Sequence, residues 1–207
     1  MHMDRRQFVK NLGLGTASLS MGSLVTASSC APSGDSSLKQ NVKEGEDGQF
    51  LFIGDDIAIA QTEYGKVQGY LLNHVYTFLG VPYGADTSGK NRFMPPQKPE
   101  PWTDVRPAVF YGNTAPQRME NRWPNNYGTF ADHWNYWDVS EDCLYLNVWT
   151  PGIADGKKRP VLVWLHGGGF TNGSGIEQDG YHGENISREG DIVFCSINHR
   201  LGADWLL

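Results

Sequence analysis

The sequence predicts an α/β fold that begins with a small antiparallel meander and continues into the first central strands of a larger sheet. Two continuous apolar runs, at residues 161–165 and 192–197, are typical of strands buried on both faces. A glycine-rich turn and a short helical candidate at residues 186–189 separate these runs. The meander is predicted from shorter stretches that alternate between apolar and polar residues and are divided by turn residues.

The chain has 207 residues, of which 39% are hydrophobic and 12% are aromatic. This is enough material for one globular domain with a buried core. The formal net charge is −6, and no run of basic residues stands out. The charge therefore argues against a nucleic acid or an anionic membrane surface as a partner.

The first 30 residues are typical of an export signal, which does not belong to the folded domain. Residues 4–10, Asp-Arg-Arg-Gln-Phe-Val-Lys, resemble a twin-arginine signal, although Asp4 stands where Ser or Thr is usual. Residues 12–25 are only weakly apolar and are too short for a membrane-spanning helix. We therefore expect export across a bacterial inner membrane.

The signal ends in Ala-Ser-Ser-Cys at residues 27–30, which resembles a lipoprotein cleavage box with Cys30 as the lipidated residue. A plain cleavable signal with an incidental cysteine explains the same residues. Residues 31–49 contain Pro, Ser, Gly, Asp, Lys and Glu with almost nothing apolar, which predicts a flexible tether. The folded domain is predicted to occupy residues 50–207, in the periplasm or tethered to a membrane through Cys30.

The elements of this domain follow from local patterns. The meander is predicted from three strands at 57–61, 66–72 and 75–79, with a turn at 63–65. Four prolines between residues 95 and 101 then force an extended passage. Residues 112–140 lack periodicity and predict a long surface loop, and residues 144–150 predict the strand that precedes the two apolar runs.

Five residues directly after the first apolar run, His166-Gly167-Gly168-Gly169-Phe170, are the first motif with chemical meaning. Consecutive glycines adopt backbone angles closed to other residues and leave their N–H groups accessible. Such donors stabilise the oxyanion that forms during acyl transfer, and losing one costs about 3–4 kcal/mol. A turn without a ligand and a phosphate-binding loop are the alternatives, although residues 167–172 lack the last glycine of a dinucleotide fingerprint.

A second motif makes the assignment specific. Residues 141–151, Glu-Asp-Cys-Leu-Tyr-Leu-Asn-Val-Trp-Thr-Pro, resemble the signature of the type-B carboxylesterases, the family that includes cholinesterases and bacterial para-nitrobenzyl esterases. Further segments resemble the same family in the same order, at residues 78–83, 92–96, 101–102 and 196–203. The chain is thereby identified as a member of this family over about residues 55–203.

The resemblance implies an α/β-hydrolase fold, of which this chain would be the N-terminal portion, and a small-molecule ester substrate with no cofactor and no metal. By position, Gly168 and Gly169 correspond to the glycines whose N–H groups face the oxyanion. Their neighbours His166, Gly167 and Phe170 would support that loop. Arg92 and Glu141 correspond to an ion pair of the family, and Arg106 replaces the cholinesterase Trp that stacks on quaternary ammonium, which argues against a choline ester.

The catalytic serine of such enzymes lies in a Gly-x-Ser-x-Gly turn, and an acid and a histidine complete the triad. No Gly-x-Ser-x-Gly occurs in these 207 residues. The resemblance therefore implies that all three triad members lie beyond residue 207, and we expect the chain alone to be inactive and to expose an apolar sheet edge at 192–197. A non-catalytic secreted binding or adhesion module is the alternative, with the aromatic residues of 123–137 as its contact surface.

Overall fold

The computed structural model describes residues 50–117 and 138–202. Both ranges fall within one compact unit, Val42–Leu207. The export signal, the tether and Cys30 lie outside the described residues, as do residues 118–137, which form most of the predicted surface loop. The two predicted roles of residues 1–49, in export and in tethering, therefore stay predictions.

The described chain forms two β-sheets and one α-helix. The larger sheet has six strands in the order β1-β4-β5-β7-β9-β8, and the smaller one has the order β2-β3-β6. The strands are β1 Leu51–Phe52, β2 Ile59–Gln61, β3 Lys66–Gln68, β4 Tyr70–Leu72, β5 Val75–Pro82, β6 Arg106–Pro107, β7 Tyr145–Thr150, β8 Val161–Leu165 and β9 Val193–Ile197. Helix α1 is Glu184–Gly190, and short 3-10 turns occur at Gly89–Asn91 and Asp179–Tyr181.

The meander is antiparallel, as predicted, but the prediction of a single strand at 66–72 is wrong. This stretch forms two strands. It is divided at Gly69 into β3, which pairs with β2, and β4, which pairs with β5. The N–H of Gly69 donates to Ala58 O at 2.9 Å, and a Cβ at this position would lie 2.0 Å from Thr77 O. Only glycine allows the backbone of β5 to approach so closely, and the chain changes sheets at this point.

The core of the larger sheet lies around β7, which forms where residues 144–150 predicted a strand. Trp149 is fully buried and packs with Val75, Leu79 and Phe194. Helix α1 covers this face. It is fastened there by Ser187, whose hydroxyl donates to Trp149 O at 3.0 Å. The opposite face of β5 and β7 packs against the smaller sheet, where Ala58, Val67 and Phe78 belong to a second buried cluster.

The apolar sequence of β8 predicted a strand buried on both faces, and this prediction is wrong. All five of its residues are exposed, from 38% at Leu162 and Trp164 to 64% at Val161. Strand β9 pairs with β7 on one side and with β8 on the other, so the edge predicted at residues 192–197 is also misplaced. Within the described residues β8 has one neighbour, and its apolar side chains therefore remain uncovered.

Helix α1 has seven residues, and no helix in the described ranges is long and apolar enough to cross a membrane.

An uncovered apolar edge strand promotes self-association, because it offers both apolar side chains and unpaired backbone groups. We expect the double substitution Val161→Lys and Val163→Lys to raise the soluble, monomeric fraction of this chain, measured by light scattering. The matched control is Val105→Lys with Phe110→Lys, which changes the charge equally at exposed apolar residues away from β8. Equal improvement in both variants would mean that charge, and not the β8 edge, controls solubility.

Candidate functional site

The glycine loop, defined here as residues 166–170, begins where β8 ends. Strands β8 and β9 are parallel, so the residues that follow β9 lie at the same end of the sheet. His166 is buried, at 8% exposure, whereas the next four residues are exposed. The carboxyl ends of parallel strands are the usual position of ligand sites in α/β folds.

The backbone of the glycine loop is held in conformations that favour glycine. Gly168 has φ +117°, and a Cβ there would lie 1.8 Å from Asn172 O. Gly169 and Phe170 both have φ +60°, which is uncommon for a phenylalanine. The turn is closed by three donors to Gly168 O, which are Thr171 N–H at 3.1 Å, Thr171 Oγ1 at 2.9 Å and Asn172 N–H at 3.3 Å.

These carbonyl contacts decide where the neighbouring N–H groups point. In a trans peptide the C=O and the following N–H point in opposite directions. Gly168 O is turned into the loop, so the N–H of Gly169 is turned away from it. Likewise Gly167 O lies 2.8 Å from His166 Nδ1, which directs the N–H of Gly168 away from that ring. Neither N–H has a hydrogen-bond acceptor within residues 50–117 and 138–202, and both glycines are exposed.

Two histidines stack at the base of this loop, His166 at its first position and His199 in the segment after β9. The rings of His166 and His199 are stacked with their centroids 4.3 Å apart and an interplanar angle of 2°. Each Nδ1 lies 2.8 Å from a backbone oxygen, of Gly167 and Arg200 respectively. Because a carbonyl oxygen can only accept, each Nδ1 carries a hydrogen in this arrangement. Both rings therefore support the neighbouring backbone through these hydrogen bonds.

The segment that follows the glycine loop, residues 171–175, is called the loop return here. It is held by two side-chain amides. Gln117 bonds both backbone groups of Gly173, accepting from its N–H at 2.8 Å and donating to its oxygen at 3.0 Å. Asn198 accepts from Gly175 N–H at 2.8 Å and donates to Asn113 O at 3.0 Å. Sequence reasoning assigned no role to either amide. Asn198 lies in the 196–203 segment that resembles the family, whereas Gln117 lies in none of the resembling segments and had no signal in the sequence.

Asn198 is itself fixed from the other side. The backbone N–H of Asn198 donates to Tyr145 O at 2.8 Å, and its backbone carbonyl accepts from the Tyr83 hydroxyl at 2.8 Å. Burial raises the pKa of Tyr83 well above its ordinary value, so this hydroxyl remains a donor throughout the physiological pH range. The loop return is thereby connected to the ends of β5 and β7.

Arg92 and Glu141 form a bidentate ion pair. Arg92 Nε lies 2.6 Å from Glu141 Oε1, and the guanidinium NH2 lies 2.8 Å from Oε2. Thr87 Oγ1 donates to the backbone oxygen of Glu141, and Arg200 donates to Met94 O at 2.8 Å. The pair thus belongs to a group of contacts that fastens residues 87–94 to the segments before β7 and after β9.

An apolar cavity beside the sheet does not include the glycine loop. It has a volume of about 510 Å³ and lies between the smaller sheet and the faces of β5 and β7. None of residues 166–170 lines it. Within the described ranges no group of three or more His, Cys, Asp or Glu is placed to hold a metal ion.

Comparison with known proteins identifies the family of this chain. A sequence model of the carboxylesterase family matches residues 56–203. Phenmedipham hydrolase of Pseudarthrobacter oxydans is 44% identical over 144 residues, which are 70% of this chain and 28% of that protein. Para-nitrobenzyl esterase of Bacillus subtilis (strain 168) is 38% identical over 147 residues, again 70% of this chain and 28% of that protein.

A solved structure is similar over the same part of the chain. It is an esterase from anaerobic Clostridium hathewayi that can hydrolyse aliphatic aromatic polyesters, and it superposes with a TM-score of 0.64 at 38% identity. The match covers 73% of this chain and 29% of that esterase. The chain therefore spans little more than a quarter of the length of these relatives.

The glycine loop offers a graded test of its own geometry. Gly168→Ala should destabilise the loop by about 2–3 kcal/mol, because it combines a strained φ with a clash against Asn172 O. Gly167→Ala should stay within about 0.5 kcal/mol, since no atom lies within 4 Å of its Cβ position. Hydrogen exchange of the 166–175 backbone measures the difference. Equal effects at both positions would contradict the loop conformation described here.

Proposed function

Since this chain belongs to the carboxylesterase family, we propose that it supplies the oxyanion hole of an exported carboxylic ester hydrolase, in which a serine transfers the acyl group to water. Its larger sheet is part of an α/β-hydrolase fold. The proposal concerns the whole enzyme, because the chain covers 28% of its curated relatives.

One observation carries the proposal. Gly168 and Gly169 are exposed, and their N–H groups point out of the loop and have no acceptor within the described residues. When a nucleophile adds to an ester carbonyl, the oxygen becomes negatively charged, and donors already in place stabilise it without reorganisation. One or two such donors from a loop of this kind, with another from the residue after the nucleophile, form the oxyanion hole in α/β-hydrolases.

The remaining chemistry is assigned to residues outside this chain. A serine Oγ would add to the carbonyl while a histidine accepts its proton. The C–O bond to the alcohol would then break, the histidine would protonate the leaving alcohol, and water would release the acid by the same steps. His166 and His199 are not assigned the proton transfer, because the Nδ1 of each donates to a backbone oxygen, whereas the Nδ1 of a catalytic histidine donates to the acid of its triad.

The structure offers a reason to disfavour choline esters as substrates. The guanidinium of Arg106 lies over the ring of Trp102, 5.5 Å from its centroid. The chain thus places its own cation on an aromatic face in the region where cholinesterases hold a substrate cation. A small uncharged ester is the substrate class we propose.

A non-catalytic binding or adhesion module is the alternative that the sequence left open. Its supporting segment, residues 123–137, lies outside the described residues, so the structure adds nothing to it. The N–H donors of Gly168 and Gly169, which have no acceptor among residues 50–117 and 138–202, favour the catalytic assignment, because donors already in place stabilise an oxyanion.

The catalytic proposal is tested on the complete product of the gene. We expect turnover of para-nitrophenyl acetate that a serine-directed phosphonate abolishes, and a loss of kcat of about 100-fold or more in Gly168→Ala. Gly89→Ala is the control, because this glycine also has positive φ, with no atom within 4 Å of its Cβ position. No turnover by the complete product would overturn the proposal. Phosphonate-sensitive turnover by residues 1–207 alone would show that the nucleophile is present in them.

The proposed export is tested with a reporter fused to residues 1–49. Twin-arginine export requires the arginine pair itself, so Arg5→Lys with Arg6→Lys should retain the reporter in the cytoplasm, whereas the tether control Lys43→Arg should not. If Cys30 is lipidated, Cys30→Ser should move the exported reporter from the membrane fraction to the soluble periplasm. Normal export of the lysine pair would rule out the twin-arginine route.

A further inference from the structure

Gln117 makes a contact with the loop return that resembles a pair of β-sheet hydrogen bonds. Its Oε1 accepts from Gly173 N–H at 2.8 Å, and its Nε2 donates to Gly173 O at 3.0 Å and to Ala115 O at 3.2 Å. Only the amide oxygen can accept from an N–H, so the orientation of the amide is set by these partners. The contact joins residues 56 positions apart in the chain.

Gly173 in turn lies directly behind the first residues of the glycine loop. It is buried, with φ +110°, and a Cβ there would lie 2.4 Å from Gly167 O and 2.5 Å from His166 Nδ1. The backbone of Gly173 thus closes the space behind Gly167 O. That oxygen belongs to the same peptide plane as the N–H of Gly168, so whatever restricts the oxygen also restricts the direction of the donor.

We propose that Gln117 is a positioning residue for the oxyanion hole: by fixing both backbone groups of Gly173, it holds the peptide plane of Gly167 and Gly168 so that the Gly168 N–H faces the oxyanion. This inference rests on the proposed function of the glycine loop. The side chain of Gln117 bonds Gly173 and Ala115 and not the two donor groups, so its effect on them is indirect.

A positioning role has a kinetic consequence that a general loss of stability does not share. If Gln117 acts only on the direction of a donor used in the transition state, its loss lowers kcat and leaves KM nearly unchanged. Removing a whole oxyanion donor costs about 100-fold to 1000-fold in kcat, and misdirecting one should cost less. We expect a fall of about 10-fold to 100-fold for Gln117→Ala, with KM within about two-fold.

Gln117→Glu supplies a second readout. A protonated glutamic acid can accept from Gly173 N–H and donate to Gly173 O, as the amide does, whereas an ionised carboxylate places a second acceptor against that oxygen. The kcat of Gln117→Glu relative to wild type at the same pH should therefore rise as the pH falls through the carboxyl pKa. Gln117→Ala should show no such recovery, because it has no group to protonate.

The experiment uses the complete product of the gene with para-nitrophenyl acetate, and Gln97→Ala is the matched control. Gln97 is exposed, and among the described residues its side chain bonds only Pro95 O, two residues away, at 3.2 Å. Hydrogen exchange at Gly173 is followed in parallel, and it should accelerate in Gln117→Ala but not in Gln97→Ala. This second measurement reports the contact whether or not the protein is active.

The outcomes separate the two proposals. Reduced kcat with unchanged KM, pH-dependent recovery in Gln117→Glu and faster exchange at Gly173 support the positioning role. Full kcat in Gln117→Ala, with wild-type turnover intact, overturns the inference and leaves the esterase proposal standing. An inactive wild type with faster exchange at Gly173 in Gln117→Ala overturns the esterase proposal, and the catalytic role of Gln117 with it.

Discussion

The pairing of β9 with β7 on one side and β8 on the other is the constraint from which the position of the glycine loop follows. It brings the carboxyl ends of two parallel strands together and sets residues 166–170 beside the segment that begins at Asn198. The pairing is stabilised by the burial of Trp149 and Phe194 against helix α1, since buried aromatic side chains contribute a large share of core stability. The loop is therefore attached to a packed part of the sheet.

Two buried polar side chains of this sheet, Asn147 and Ser196, are paired with each other. Asn147 donates to Ser196 Oγ at 3.1 Å, and its oxygen accepts from the N–H of Gly80 at 3.0 Å. A buried amide without partners would cost several kcal/mol. A strand register that broke these bonds would therefore be much less stable than the observed one. Asn198 continues the same principle to the loop return, where it bonds Gly175.

Strain and hydrogen bonding balance each other within the loop. Phe170 and Gly168 adopt backbone angles that cost free energy or require glycine, and the loop closes through carbonyl groups that point inward. The inward carbonyls leave the opposite ends of their peptide planes pointing outward. Two N–H donors without an acceptor in the described part of the chain are thus a direct result of how the loop satisfies its other backbone groups. This physical link connects a local conformation to the proposed chemistry.

The sequence by itself determined the local elements and the family. Apolar runs located β8 and β9, residues 144–150 located β7, and the glycine motif located the loop, because local patterns and backbone freedom are properties of neighbouring residues. The tertiary structure decided what depends on partners distant in sequence: the change of sheets at Gly69, the exposed edge at β8, and the clamp of Gln117 on Gly173. An apolar run signals that a strand can be buried, but only the assembled sheet decides which strand has neighbours on both sides.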